Sequence, residues 1–220
     1  MNNSHIIRAP RLNIAPEEPV ILKMDMEHGQ MQCLVMNISI TGLAIVPHPD
    51  LALGDVIHCE MITTDKSIKI QVEVKQTTDY SYGLHVLDDL LCYSEFVCKN
   101  FGEYLMLTMM EKHVDEQDPP FTIKRWSGEE DTEVQISIES NSIFYLELLS
   151  LDIHFVLDFH KGVFLYQDTE TELHGRLGND LPHKFKLFLN YMAHNLPDLE
   201  FDLRNQIDLV TGGDVRQKAS

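Results

Sequence analysis

Through the first ninety residues, hydrophobic and polar positions alternate in short runs with a period near two. Strand-like segments occur at Pro19–Met26, Gln32–Met36, Leu43–Val46, Val56–Ile62, Ile68–Lys75 and Gly83–Leu87. In the fifth, Ile68, Ile70, Val72 and Val74 alternate with Lys69, Gln71, Glu73 and Lys75. One dry face and one wet face is the signature of an antiparallel strand. Short strands separated by turn-rich intervals predict a barrel or a sandwich. From Leu90 to Lys112 the spacing becomes helical, with Leu91, Phe96 or Val97, Phe101, Tyr104, Leu105, Thr108 and Met109 in one stripe. The Leu and Met side chains at its end suit core packing or a helix–helix contact in a homodimer.

The run Asp115-Glu116-Gln117-Asp118-Pro119-Pro120 is acidic and ends in two prolines. Such a segment cannot continue a helix or sit within a sheet, which predicts a domain boundary. Beyond it, strands are expected at Phe121–Trp126, Thr132–Glu139, Ile143–Leu149, Asp152–Phe159 and Gly162–Tyr166. A helix follows over Leu181–Asn195, where Phe185, Phe188, Leu189 and Met192 stand at i, i+3, i+4 and i+7 and Leu196-Pro197 supplies the stop. Thr211–Ser220 lacks apolar periodicity and reads as a disordered tail. The expected fold class is therefore α+β. A basic tail (1–16) precedes a six-stranded antiparallel β-barrel with a C-terminal helix (17–114), a second strand-rich domain (119–210) and the disordered tail (211–220).

Charge narrows the function. The net charge of −18 opposes binding to nucleic acid polymers or anionic lipid. The acidic excess is spread along the chain: residues 1–118 hold 8 basic and 18 acidic side chains, and residues 119–220 hold 9 and 17. The first 16 residues depart from this, with Arg8 and Arg11 and no acid. A small basic segment on so acidic a chain is a place for a specific anion. No stretch has the apolar length of a signal peptide or a membrane span, so a cytoplasmic protein without membrane insertion is expected. Cys33, Cys59, Cys92 and Cys98 form no C-x-x-C pair and read as reduced, buried packing residues.

Candidate chemistry is sparse. Asp152, His154, Asp158 and His160 fall on one strand-like run, with His154, Val156, Asp158 and His160 on one face and Ile153, Phe155, Leu157 and Phe159 on the other. Imidazole and carboxylate suit zinc or iron. The same arrangement is what the wet face of a half-exposed strand must carry, and that reading is preferred, so no metal or other cofactor is expected. His174 and His183, near Arg176 and Lys184, read as surface, and Trp126 reads as core. No G-x-S-x-G, H-E-x-x-H or P-loop occurs, which points away from an enzyme.

One constellation resembles a known family. Asn37-Ile38-Ser39-Ile40-Thr41-Gly42 fits D/N-x-S-x-x-G, a signature of the PilZ domain, and continues into the apolar Leu43-Ala44-Ile45. Leu53-Gly54-Asp55-Val56-Ile57 is similar to the family's Gly-Asp strand opening, and Val72–Val86, ending Tyr82-Gly83-Leu84-His85-Val86, to its last hairpin. The resemblance covers about residues 5–113. The family's second signature, R-x-x-x-R, would end at Arg11, but Ile7 stands where its first arginine belongs and Arg8 gives R-x-x-R instead.

The resemblance implies a bacterial receptor for the second messenger cyclic di-GMP, with Arg8, Arg11, Asn37, Ser39 and Gly42 as ligand-binding residues. The chemistry is apt. An arginine fork grips phosphate or the O6/N7 edge of guanine in two bonds, and its flat face stacks on a base. Asn37 and Ser39, two apart in extended chain, share a face, and Gly42 permits a close approach. In this reading, ligand ordering of the Arg8–Arg11 segment changes how the barrel meets the second domain or an unidentified protein partner. Two alternatives stay open: a PilZ-type adaptor that binds no ligand, and an enzyme using His154, Asp158 and His160.

Overall fold

The period-two runs of the first half fold as strands that close on themselves. The structure, a computed structural model, describes residues 9–16, 18–26, 29–129, 131–150, 153–177 and 181–211. The chain forms two compact units, Met1–Leu105 and Met106–Ser220.

The first unit contains β1 (Leu12–Asn13), β2 (Ile21–Met26), β3 (Gly29–Ser39), β4 (Gly42–Ile45), β5 (Val56–Ile62), β6 (Ser67–Thr77) and β7 (Tyr82–Val86). Strand order is β1-β3-β2-β5-β6-β7-β4, and a further β3–β4 pairing closes β2 to β7 into a six-stranded antiparallel barrel. The short β1 lies outside this ring, paired to the end of β3. Closure removes the sheet edges that would otherwise invite association. Leu22, Met24, Ile38, Ile45, Met61 and Val72 fill the interior.

Helix α1 (Leu90–Leu105) comes after the barrel and buries Tyr93, Val97, Phe101, Tyr104 and Leu105. The buried stripe begins at Tyr93, while Leu91, expected in it, is 69% exposed. The helix is also shorter than its apolar spacing predicts. It tightens into a 3-10 turn at Met106–Met109, and β8 (Glu111–Lys112) then pairs with Trp126 and Ser127. Of the four cysteines, Cys33 and Cys59 are buried in the barrel wall, but Cys92 and Cys98 are exposed on α1.

The second unit continues with β9 (Glu116–Asp118), β10 (Phe121–Ser127), β11 (Glu133–Glu139), β12 (Ser142–Leu149), β13 (His154–Asp158), β14 (Val163–Gln167) and β15 (Glu172–Arg176). From β10 to β15 each strand pairs with its sequence neighbour in an antiparallel meander, with β8 and β9 both on the outer side of β10. The acidic run before the prolines is thus part of a sheet after all. Asp118 opposes Phe121, so Pro119 and Pro120 occupy the turn, where a missing N–H costs nothing, and β9 pairs on one side only. Helices α2 (His183–Asn195) and α3 (Phe201–Thr211) complete the unit, with Trp126, Ile136, Leu146, Leu189, Tyr191 and Ile207 in the core. Leu196, held extended before Pro197, ends α2 as expected. Besides the short β8 and β9, the sequence did not anticipate β15, an exposed edge strand, or α3, whose last residue Thr211 is buried and hydrogen-bonded to Asn190. The fold class is α+β, a closed barrel with a helix followed by a strand-rich sheet with helices.

Candidate functional site

Cross-strand register determines which side chains meet on the barrel. Leu12 opposes Ile38, Ile38 opposes Leu43, Leu43 opposes Leu84 and Leu84 opposes Val74. All five are at most 4% exposed, so this row points into the core. Side chains alternate faces along a strand, so the adjacent row points outward. That row runs Ser39, Gly42, His85 and Glu73 across β3, β4, β7 and β6. The register of β1, with Leu12 opposite Ile38 and Asn13 opposite Asn37, brings Arg11 to the level of Ser39. The two halves of the expected site, distant in sequence, are thereby joined on one outer face.

A local irregularity makes this arrangement work. The β3–β4 register shifts between Val35 and Asn37, leaving Met36 as an extra residue. Such a bulge reverses the inward–outward phase of the residues after it. Val35 and Ile38 both point inward, at 4% and 0% exposure, while Asn37 and Ser39 take the outer face.

The three signature residues then play different parts. Ser39 is buried, and its hydroxyl donates to the Gly42 carbonyl over 3.2 Å and lies 3.5 Å from the Thr41 hydroxyl. Gly42 is needed for a close approach within the protein: a Cβ there would run into the Leu84 carbonyl oxygen of β7. Its own carbonyl also accepts a 3.0 Å hydrogen bond from Tyr93 of α1. Burial, with a smaller contribution from nearby Cys59, pushes the Tyr93 hydroxyl well above the usual tyrosine range, so it stays a donor. Asn37 is different. Its side-chain oxygen is buried and has no hydrogen-bond partner. Arg11 is exposed immediately before β1, and Arg8 lies outside the described residues.

Two residues of this site were invisible to motif spacing. Tyr93 supports the β3–β4 turn from 51 positions away, and His85 enters the outer row only through the β4–β7 register. The family-like hairpin contains His85, but nothing local marks it, or Tyr93, as part of this face.

The histidine cluster of the second unit disperses. His154 Nε2 lies 2.7 Å from a Glu147 carboxylate oxygen on the neighbouring strand. Asp158 pairs with Lys161 at 2.8 Å; the hydrogen bonds from Lys161 hold its carboxyl below the usual range. His160 is not on the strand but in the turn beyond it, stacked on Phe144 with ring centroids 5.3 Å apart. Asp152 lies outside the described residues. Among those residues no group of three or more His, Cys, Asp or Glu side chains is placed to hold a metal ion. His174, His183 and Arg176 are exposed, and the Lys184 side chain lies outside the described residues. Trp126 is fully buried, its indole N–H donating to the Pro197 carbonyl over 2.7 Å. No helix among the described residues is long and apolar enough to cross a membrane.

A closed six-stranded antiparallel barrel followed by a helix, with an Asn-x-Ser-x-x-Gly turn on its outer wall, defines the architecture of the first unit. Residues 7–91 match the PilZ domain family. Comparison with curated proteins finds no match. Among solved structures, an uncharacterized Legionella protein is 16% identical, covering 42% of this chain and 94% of its own, with a TM-score of 0.33. The Borreliella burgdorferi PlzA protein, solved in complex with c-di-GMP, is 10% identical, covering 83% of this chain and 93% of its own, with a TM-score of 0.30.

Proposed function

We propose that this chain is a non-enzymatic receptor for cyclic di-GMP that relays the signal to a protein partner through its N-terminal segment. The observation that carries the reading is the outer row of the barrel. It brings Arg11 level with Ser39, two positions along the strand from Asn37, whose buried side-chain oxygen lacks a partner. That acceptor matches the N–H donors of guanine, and the Arg11 guanidinium matches a phosphate or the guanine O6/N7 edge. On a chain of net charge −18, an arginine here is the local counter-charge that a dianionic ligand needs. Because β1 is only two residues long and Arg11 directly precedes it, a ligand gripped by Arg11 would order the chain leading into the barrel. That ordering is the relay step.

A second reading rests on Ile7, which stands four residues before Arg11 where the first family arginine belongs. With that contact missing, the domain would act as an adaptor through protein contacts alone. Calorimetric titration of cyclic di-GMP into the full-length protein and an Arg11→Ala variant separates the two. The receptor reading expects micromolar or tighter binding, about −8 kcal/mol, abolished in the variant. The absence of both heat and thermal stabilisation at saturating ligand would leave the adaptor.

A further inference from the structure

The outer row that carries Ser39 and Gly42 does not end at β4. Gly42 opposes His85, and His85 opposes Glu73. His85 is exposed between Leu84 and Val86, which are 4% and 1% exposed and form part of the core. Its ring therefore stands on the same outer face as Asn37 and Ser39. Strands in a sheet lie about 4.8 Å apart, which places His85 roughly 10 Å from Ser39 and about 14 Å from the level of Arg11. Between Ser39 and His85 the row holds only Gly42, which has no side chain to fill the gap. Across it, from Arg11 to Glu73, the groups able to donate a hydrogen bond to an anion are Arg11 at one end, Ser39, whose hydroxyl is committed to Gly42, and His85. Glu73, the next residue, is paired with Lys75 at 2.6 Å, which leaves the imidazole beside a neutralised carboxylate.

We infer that His85 is a further ligand-contacting residue of this site, closing it on the β7 side by donating an imidazole N–H to an acceptor oxygen of the bound dinucleotide. The inference rests on the receptor reading and adds a residue outside both the arginine signature and Asn-x-Ser-x-x-Gly. The ligand then spans the row, with Arg11 and Asn37 at one side and His85 at the other.

The test is calorimetric titration of cyclic di-GMP into the full-length wild type, His85→Ala, His85→Gln and Arg11→Ala, with melting temperatures measured alongside. The expected result is about a tenfold loss of affinity in His85→Ala, the size of one hydrogen bond to an ionic group. His85→Gln, which keeps an N–H donor, should stay within about threefold of wild type. Because His85 is exposed, neither variant should shift the melting temperature appreciably. Binding by His85→Ala within twofold of wild type, with Arg11→Ala silent, overturns this inference and leaves the receptor reading standing. Equal loss in His85→Ala and His85→Gln overturns the donor role. A wild type that binds nothing overturns both the inference and the reading beneath it.

Discussion

The Tyr93 hydroxyl donates to the Gly42 carbonyl over 3.0 Å, tying the first turn of α1 to the turn between β3 and β4. Both groups are buried, and the contact couples the closing helix to the strand end that carries Asn37 and Ser39. Tyr93→Phe removes the donor but leaves Gly42 the Ser39 hydroxyl, so the expected cost is about 1 kcal/mol. It also has a pH signature. Burial raises the Tyr93 hydroxyl and pushes Tyr104 and the Cys59 thiol up to about 12. Folded-state values above the unfolded ones mean stability that is intact below the unfolded values and lost as pH rises toward the folded ones. Melting temperature should therefore fall steadily above about pH 9, and Tyr93→Phe should flatten that fall. An unchanged slope in the variant would contradict the assignment.

Gly42→Ala is expected to be more damaging than its size suggests. The new Cβ meets the Leu84 carbonyl oxygen, which belongs to a barrel ladder and cannot swing aside as a flexible side chain would. The strand must shift, at a cost of about 2 kcal/mol or more. Chemical denaturation should show a lower midpoint with the slope retained. A variant as stable as wild type would mean that β4 and β7 part easily, and the Gly42 requirement would then have to come from a ligand.

How much of this was legible in the sequence depends on how local each cause is. The period-two run Ile68–Lys75 and the helical spacing within Leu90–Leu105 are local, and they mark β6 and α1. The Asn-x-Ser-x-x-Gly spacing likewise marks the β3–β4 turn. Strand β15 escaped because an edge strand exposed on both sides has no apolar alternation to show. Helix α3 escaped because it buries Leu203, Ile207 and Thr211 while leaving Phe201 and Leu209 59% and 63% exposed, which divides its apolar signal between two faces. The bulge at Met36 and the placement of His85 depend on pairing between distant strands. Only the assembled barrel expresses them.

Asn37 separates stability from binding. A buried acceptor without a partner is a burden on the folded state. Asn37→Ala removes it, so the variant should be as stable as wild type or more stable by up to about 1 kcal/mol. Its affinity for cyclic di-GMP should meanwhile drop at least about tenfold. Thermal melts with and without ligand read both effects in one experiment. A variant destabilised by more than about 1 kcal/mol would show that the amide supports the barrel itself.

The second unit has its own electrostatic anchor in Lys124. Its side chain is 9% exposed, and its ammonium lies 2.6 Å from both Asp115 and Glu200, with Lys112 at 3.6 and 3.8 Å from the same two acids. Burial alone would raise the two carboxyls, but the hydrogen bonds and charge of Lys124 outweigh it and hold both below the usual carboxylate range. Depressed folded-state values mean stability that is present above about pH 4 and lost as pH falls through them. Lys124→Ala should cost about 1–2 kcal/mol, because it leaves the two partly exposed acids with only the longer Lys112 contacts. Lys124→Met, which refills the gap without the charge, should cost less at pH 4 than at pH 7, since protonation then relieves the unpaired acids. Melting curves between about pH 3 and pH 7 discriminate the two contributions. If Lys124→Met tracked wild type at every pH, packing around the Lys124 stem would account for the anchor, and the ion pairs would contribute nothing to it.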